Sequence, residues 1–260
     1  MPLTSSGIAY DDTGDGTPTL LFLPGWCGPR TLFDPLCTRL QNRFRCLALD
    51  WRGHGESRDA DGDFGSTELV EDAMAVIADS GTDQVMLVAA AHAGWIAIEL
   101  RRRLGAALIP KLVLVDWMVL GAPPPFLDGL AAMAAPVTTR AAVGQLAAMW
   151  MDDLDLPDLA AYVASMTAYP DEMWARAARE IATAFQKDAS PLDAIAALDP
   201  VPATLHVYAQ PADASYLQAQ QGFAAAHSWF GVERLNAKSH LPMFEDPDAM
   251  ARGIEGFVAQ

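Results

Sequence analysis

The chain has few cysteines, few basic residues and no long apolar run, and each shortage excludes a class of protein. Its three cysteines, Cys27, Cys37 and Cys46, have no CxxC spacing, which argues against a disulfide framework or a zinc site and is typical of a reducing compartment. Lys and Arg number 17 against 33 Asp and Glu, which gives a net charge of −16. Because nucleic-acid phosphates and anionic lipids would be repelled, we expect no nucleic-acid partner and no membrane docking.

The sequence also lacks a membrane-spanning segment and any motif for a cofactor. Its most apolar stretch, residues 85–98, is shorter than the roughly 18 residues that a span needs and contains His92. The first residues have neither a basic region nor an apolar one, which predicts no secretory leader and a cytoplasmic location. Metal-ligand spacing, a dinucleotide fingerprint and a P-loop are missing from the sequence, so we expect no cofactor and no metal.

Apolar runs and helical patterns alternate along most of the chain. Four runs are typical of strands buried on both faces, at residues 19–23, 44–49, 85–90 and 111–115. Such alternation predicts βαβ units and a mostly parallel sheet flanked by helices. From residue 122 to 200 the pattern is helical, and strand patterns resume at 202–208. We therefore predict an α/β core, residues 1–121 and 201–260, with an inserted helical cap, residues 122–200.

A nucleophile is absent from the motif that normally carries one. The strand ending at Ala90 is followed by a turn of small residues and a helix, which is the layout of the nucleophile elbow in the α/β-hydrolase fold. Ala91 stands at the nucleophile position. Because a methyl group cannot attack a carbonyl, acyl-enzyme chemistry through this elbow is excluded.

The other parts of such a site are present in the expected chain order. Asp116 follows the strand at 111–115, and His240 lies after the last strand, so that elbow, acid and histidine follow one another as in α/β-hydrolases. His240 is the candidate general base, since imidazole titrates near neutrality. Asp116 is the favoured acid that orients its ring. Asp213 is the rival acid, and a turn or helix cap is the alternative role for Asp116.

Backbone amides and one aromatic ring complete the candidate site. The N–H groups of Trp26 and His92 are placed to form an oxyanion hole, which needs no serine. The His92 side chain is expected to point away from the pocket. Trp150 is the candidate for an apolar pocket wall, with a core position as the alternative. The remaining histidines are expected in the scaffold, the core or the surface: His54, His206 and His227.

Six short segments carry a family resemblance. They are LPGWC at 23–27, WRGHG at 51–55, HAGW at 92–95, VDW at 115–117, AQP at 209–211 and HLP at 240–242. Together they resemble the cofactor-independent 3-hydroxy-4-quinolone 2,4-dioxygenases, which have an α/β-hydrolase fold. The motif of Gly25, Trp26 and Cys27 together with Asp116-Trp117 is the most specific part, because the Arg-Gly-His-Gly segment occurs in many hydrolases.

The resemblance implies a reaction that needs no covalent nucleophile. His240, supported by Asp116, would remove the proton of the substrate 3-hydroxyl. The resulting anion would react with O2 without metal or flavin and release carbon monoxide and an N-acyl anthranilate. The partners implied are a small aromatic N-heterocycle and O2, and degradation of a quinolone signal (quorum quenching) is the implied role.

Three positions depart from the family pattern. Members carry a serine at the position of Ala91 and histidines at the positions of Gly28 and Ala90. The smaller groups predict weaker polar anchoring and a wider pocket, and hence a substrate with a longer 2-alkyl chain such as heptyl. Ala91 is either natural or an engineered substitution.

Two other functions remain open on the sequence. One is a serine esterase or C–C hydrolase that has lost its nucleophile at Ala91. The other is a catalytically inactive scaffold that senses a small molecule, although retention of both His240 and Asp116 disfavours it. We expect a monomer or a small homo-oligomer.

Overall fold

A seven-stranded sheet forms the centre of the molecule. The computed structural model describes residues 2–57, 63–151, 154–188 and 190–260. The strands are β1 (Tyr10–Thr13), β2 (Thr19–Leu23), β3 (Arg45–Leu49), β4 (Val85–Ala90), β5 (Lys111–Val115), β6 (Ala203–Tyr208) and β7 (Phe230–Arg234). They lie in the order β1-β3-β2-β4-β5-β6-β7.

The sheet is parallel except at one edge, where β1 pairs with β3 in antiparallel orientation. Every residue of β2 and of β4 is buried, as expected of strands covered by helices on both faces. The predicted mostly parallel sheet flanked by helices is therefore confirmed. In such a sheet the loops after parallel strands meet at one edge, and ligands bind there.

Ten α-helices lie around the sheet in the described part of the chain. They are α1 (Asp34–Leu40), α2 (Ser66–Ser80), α3 (Ala93–Leu108), α4 (Pro124–Ala134), α5 (Thr139–Met151), α6 (Pro157–Thr167), α7 (Asp171–Lys187), α8 (Pro191–Ala196), α9 (Ala214–Ala226) and α10 (Pro247–Val258). Helix α9 was not predicted from the sequence. Within the described residues, no helix has the length and apolarity required to cross a membrane.

Five of these helices, α4 to α8, lie between β5 and β6. These helices and the turns between them contact the loops after the strands at several points, including the following three. The Trp150 ring lies over His240, Tyr162 packs against Phe244, and the backbone N–H of Gly55 donates to the Tyr169 hydroxyl at 2.9 Å. The inserted helices therefore contact loops that carry candidate site residues.

Candidate active site

The elbow keeps its turn although no nucleophile stands in it. Ala91 has a φ of 47°, a left-handed conformation that is uncommon for a residue with a side chain. Its N–H donates to the Val115 oxygen at 2.8 Å, which ties the elbow to β5. Helix α3 then starts close to the Trp117 ring, because Gly94 has no Cβ to collide with it. The sharp turn is thus held by neighbouring strands and not by a functional side chain.

His240 and Asp116 form a hydrogen-bonded pair. His240 Nδ1 lies 3.0 Å from Asp116 Oδ1, and Asp116 is 2% exposed. Because an ionised carboxylate only accepts hydrogen bonds, Nδ1 carries the proton and Nε2 is the acceptor nitrogen of the neutral ring. Nε2 has no hydrogen-bond partner among the residues that the structure describes. This nitrogen can therefore receive a proton.

Asp116 is held by backbone groups of the strand next to it. It adopts a φ of 46°, and its own N–H donates to the Val207 oxygen at 3.0 Å. The N–H groups of Ala209 and Gln210 donate to its two carboxylate oxygens, each at 3.1 Å. These bonds fix the carboxylate that faces the His240 ring.

The rival acid, Asp213, has a different position in the structure. It is the residue before α9, and its Oδ1 accepts the N–H of Ser215 at 2.7 Å. A hydrogen bond from the Ser215 hydroxyl, and then the one from its N–H, lowers the pKa of Asp213. Asp213 therefore caps a helix, while His240 Nδ1 bonds to Asp116.

Gln210 connects the loop of the acid with the loop of the histidine. Its backbone N–H bonds to Asp116, while its side-chain Nε2 donates to the Lys238 oxygen at 2.8 Å. On the other side, Glu245 accepts the N–H of Ser239 at 2.6 Å. The segment that carries His240 is thus fixed from both sides. Gln210 belongs to the AQP segment at 209–211, and its role was not predicted from the sequence.

His206 stabilises the turn that carries Asp116 and Trp117. Its Nε2 accepts the N–H of Trp117 at 3.2 Å, and its Nδ1 lies 2.5 Å from the Gln220 side-chain oxygen. Burial lowers the pKa of His206 from 6.5 to about 4, so the ring is neutral with its proton on Nδ1. From the sequence, His206 was expected only in the scaffold, the core or the surface. Its side-chain partner, Gln220, lies in α9, which the sequence pattern did not predict.

The loop after β2 presents the Trp26 amide. Cys27 has a φ of 58°, and its N–H donates to His54 Nε2 at 3.1 Å. Burial lowers the pKa of His54 to about 4, which keeps the ring neutral and able to accept this bond. In the described residues, neither the Trp26 nor the His92 N–H has an acceptor. Both groups remain available to bind an anion.

The His92 side chain lies among aromatic rings of the inserted helices. It stacks on Phe126 at 5.4 Å and meets the Phe185 ring edge-on at 5.9 Å. Its Nδ1 is buried and has no partner among the described residues. Burial, followed by the charge of His240, lowers the pKa of His92 to about 3. The ring is therefore a neutral packing group.

Trp150 covers one face of the His240 ring. The ring centroids are 6.2 Å apart with an angle of 15° between the planes, and Trp150 is 7% exposed. A flat indole parallel to the imidazole limits how far that ring can turn. The sequence alternatives of pocket wall and core position are both compatible with this contact.

The chemistry of the site follows from these groups. Among the described residues, no three His, Cys, Asp or Glu side chains are grouped to hold a metal ion. The groups present are an imidazole paired with a buried carboxylate and two backbone amides without acceptors. They can move one proton and stabilise one negatively charged oxygen.

Comparisons with known proteins identify the family. Residues 20–253 match the model of the alpha/beta hydrolase family. The chain is 35% identical to 1H-3-hydroxy-4-oxoquinoline 2,4-dioxygenase of Pseudomonas putida, over 96% of each chain. It is 31% identical to 2-heptyl-3-hydroxy-4-quinolone dioxygenase AqdC1 of Rhodococcus erythropolis, over 95% of this chain and 90% of the relative.

A solved structure agrees with these relatives. An AqdC variant in complex with its substrate, described as a protein that recognises and cleaves the Pseudomonas quinolone signal, superposes with a TM-score of 0.93. It is 29% identical, and the match covers 99% of this chain and 98% of that one. The resemblance seen in the six sequence segments is confirmed. The chain belongs to the α/β-hydrolase family and, within it, to the 3-hydroxy-4-quinolone 2,4-dioxygenases.

Proposed function

We propose that this enzyme cleaves the heterocyclic ring of a 2-alkyl-3-hydroxy-4(1H)-quinolone with O2. The products are carbon monoxide and an N-acyl anthranilate, and neither metal nor flavin takes part. The observation that carries the proposal is the His240–Asp116 pair beside an elbow that has Ala91 in place of a nucleophile. This combination suits a reaction that begins with proton removal and forms no acyl-enzyme.

The first step is removal of the 3-hydroxyl proton by His240 Nε2. Asp116 fixes the proton on Nδ1 and stabilises the imidazolium that forms, because its carboxylate lies 3.0 Å away. The substrate becomes an electron-rich anion. Trp150 and the acid–base pair together hold the imidazole in one orientation.

The later steps take place on the substrate. O2 adds at C2 of the anion, and the terminal peroxide oxygen then attacks the C4 carbonyl. Negative charge develops on the C4 oxygen, where the N–H groups of Trp26 and His92 would bind it. The bonds from C3 to C2 and to C4 break together with the O–O bond. C3 leaves as carbon monoxide with its own oxygen, and one oxygen atom of O2 remains on each of C2 and C4.

The isotope distribution tests this sequence of steps. With ¹⁸O₂, we expect one labelled oxygen in the acyl group and one in the carboxylate of the anthranilate, with unlabelled carbon monoxide. Label in the carbon monoxide, or only one labelled atom in the anthranilate, would contradict the proposed route. Mass spectrometry of both products distinguishes these outcomes.

The 2-alkyl group is the finer part of the proposal. Ala90 and Ala91 place only methyl groups at the elbow, and the relative AqdC1 is named for a 2-heptyl substrate. We therefore expect a larger kcat/KM for the 2-heptyl than for the 2-methyl compound. A larger value for the 2-methyl compound would remove the heptyl assignment and leave the reaction type intact.

The esterase alternative has less support, because the two relatives described above are named as dioxygenases. Ala91→Ser restores a hydroxyl at the elbow and tests it directly. We expect no turnover of p-nitrophenyl esters by Ala91→Ser, with quinolone cleavage retained. Ester turnover by Ala91→Ser without quinolone cleavage by either form would favour the alternative.

The setting of the enzyme is also part of this proposal. We infer a cytoplasmic monomer or small homo-oligomer that binds neither nucleic acid nor membrane, and the net charge of −16 supports this. We also infer that residues 122–200 act as a cap on a core of residues 1–121 and 201–260. Sedimentation at several concentrations would establish the oligomeric state.

A further inference from the structure

Tyr162 lies between the two loops that carry the candidate oxyanion amide and the candidate base. It belongs to α6, is 5% exposed, and its ring packs against Phe244 at a centroid distance of 5.3 Å. Phe244 is in the short 3₁₀ turn that follows His240. On its other side, the Tyr162 hydroxyl lies against Gly28, two residues after Trp26.

The Tyr162 hydroxyl occupies the space that a side chain at position 28 would need. A Cβ at position 28 would lie closer to the Tyr162 hydroxyl than the 3.0 Å that real Cβ contacts respect. The backbone of Gly28 is not in the left-handed region, so space and not backbone conformation requires the glycine. Gly28 therefore opens no room in the pocket, contrary to the sequence expectation, because a phenol fills it.

The hydroxyl of Tyr162 has no hydrogen-bond partner among the described residues, although other tyrosines in the fold do. Tyr169 accepts the Gly55 N–H at 2.9 Å, and Tyr216 donates to the Trp117 oxygen at 3.0 Å. The Tyr208 hydroxyl is also unpaired but fully enclosed, whereas the Tyr162 hydroxyl is not among the enclosed unpaired atoms. Burial raises the pKa of Tyr162 well above its usual value, so the group keeps its proton and can donate.

We propose that Tyr162 donates a hydrogen bond to the C4 oxygen of the bound quinolone, beside the Trp26 amide. The inference rests on the proposed function, since it names a further residue that binds the same substrate. Because the hydroxyl lies against Gly28, two residues along from Trp26, it would be a third donor beside the Trp26 and His92 amides. The hydroxyl thus supplies polar anchoring that the glycine at position 28 cannot.

Tyr162→Phe is the informative variant, because it removes only the hydroxyl. Tyr169→Phe is the matched control, since its hydroxyl is bonded to the backbone N–H of Gly55. The measurements are the melting temperature without ligand, and the dissociation constant of 3-hydroxy-2-methyl-4-quinolone without O2, where no turnover occurs. The same binding measurement with 3-hydroxyquinoline, which lacks the oxygen at C4, identifies the substrate atom.

We expect Tyr162→Phe to bind the quinolone about tenfold more weakly, corresponding to the loss of one hydrogen bond. Its melting temperature should stay unchanged or rise, because no bond within the protein is lost. Tyr169→Phe should show the opposite pattern, with a lower melting temperature and unchanged affinity. For 3-hydroxyquinoline, Tyr162→Phe and the wild type should bind equally.

Three results would overturn the inference. They are unchanged quinolone affinity in Tyr162→Phe, a fall in affinity accompanied by a lower melting temperature, and an equal loss of affinity for 3-hydroxyquinoline. If the wild type cleaves the quinolone in air, each result refutes the role of Tyr162 alone. If the wild type neither binds nor cleaves any 3-hydroxy-4-quinolone, the proposed function fails.

A double substitution tests the contact with Gly28 independently. In the wild type, the Cβ of Gly28→Ala would collide with the Tyr162 hydroxyl, and affinity should fall. In Tyr162→Phe the nearest ring carbon lies 3.6 Å from that Cβ, which is an ordinary contact. The Cβ also lies 3.2 Å from the Gly25 oxygen, and this close contact is the same in both backgrounds. The cost of Gly28→Ala should therefore be smaller in the Phe background. Equal costs in both backgrounds would contradict the contact.

Discussion

The His240 imidazole donates from Nδ1 to Asp116 Oδ1 at 3.0 Å, and this bond leaves Nε2 as the nitrogen that can take a proton. Both carboxylate oxygens of Asp116 also accept backbone N–H groups, from Ala209 and Gln210. The acid is therefore unable to turn away from the ring. The relationship between these two residues determines the tautomer and orientation of the candidate base.

Asp116→Asn should lower kcat by about 10² while changing KM little. The amide cannot accept from both Ala209 and Gln210 while facing Nδ1–H, so the ring loses its orientation and its counter-charge. Asp213→Asn is the matched control, because Asp213 only caps α9. Steady-state kinetics that show the same kcat for Asp116→Asn and the wild type would contradict the role of Asp116.

Trp150→Ala should lower kcat/KM by about tenfold or more, because the ring parallel to His240 is lost and the imidazole gains freedom. Trp174→Ala is a suitable control, since Trp174 is also buried, 4% exposed, and has no ring contact with His240 among the described residues. Each should lose stability through the cavity it leaves. If both lose equal activity per folded molecule, Trp150 is a core residue without a special role.

His206→Ala should lower both stability and kcat. The Trp117 N–H would lose its acceptor in a buried position, at a cost of about 1–3 kcal/mol, and the turn that carries Asp116 would loosen. His206→Gln can present an oxygen to the same N–H and should recover part of both losses. Recovery of stability without recovery of kcat would show that His206 does not act on Asp116.

The stability of the enzyme should fall in acid because His54, His92 and His206 are buried in neutral form. Burial lowers the pKa of His54 and of His206 from 6.5 to about 4, and that of His92 to about 3. The unfolded chain therefore takes up protons as the pH falls through 6.5, whereas the folded chain does so only near 4 and below. The contribution of these histidines to the free energy of unfolding is fully present above pH 6.5. Below that pH the free energy of unfolding declines, by at most about 1.4 kcal/mol per pH unit for each histidine.

Urea unfolding between pH 7 and pH 4.5 measures this effect. In His206→Gln one of these three histidines is gone, so the decline should be shallower than in the wild type by at most about 1.4 kcal/mol per pH unit. Parallel curves for the two proteins would show that His206 does not contribute.

The sequence predicted the parts of the fold that follow from apolar runs. Strands such as β2 and β4 are buried at every residue, so their sequences are continuous and apolar. Helix α9 was missed because its only fully buried residue is the polar Gln220. No apolar stripe marks such a helix. Because α9 was not predicted, Gln220 was not predicted as the partner of His206 either.

Contacts between distant segments were beyond the reach of sequence patterns. The pairing of Asp116 with His240 was predicted because both follow strands whose ends meet at one edge of the sheet. The contact of Tyr162 with Gly28 joins an inserted helix to the loop after β2, and no periodicity relates the two. Such contacts depend on how the inserted helices pack, which only the structure shows.

The most direct test of the central claim follows O2 uptake and carbon monoxide release together, in air, with 3-hydroxy-2-methyl-4-quinolone and a metal chelator. For the wild type we expect equal amounts of O2 consumed and carbon monoxide formed, at a rate that the chelator leaves unchanged. His240→Ala should lower that rate by about 10² to 10⁴. An unchanged rate in His240→Ala would show that this imidazole is not the base.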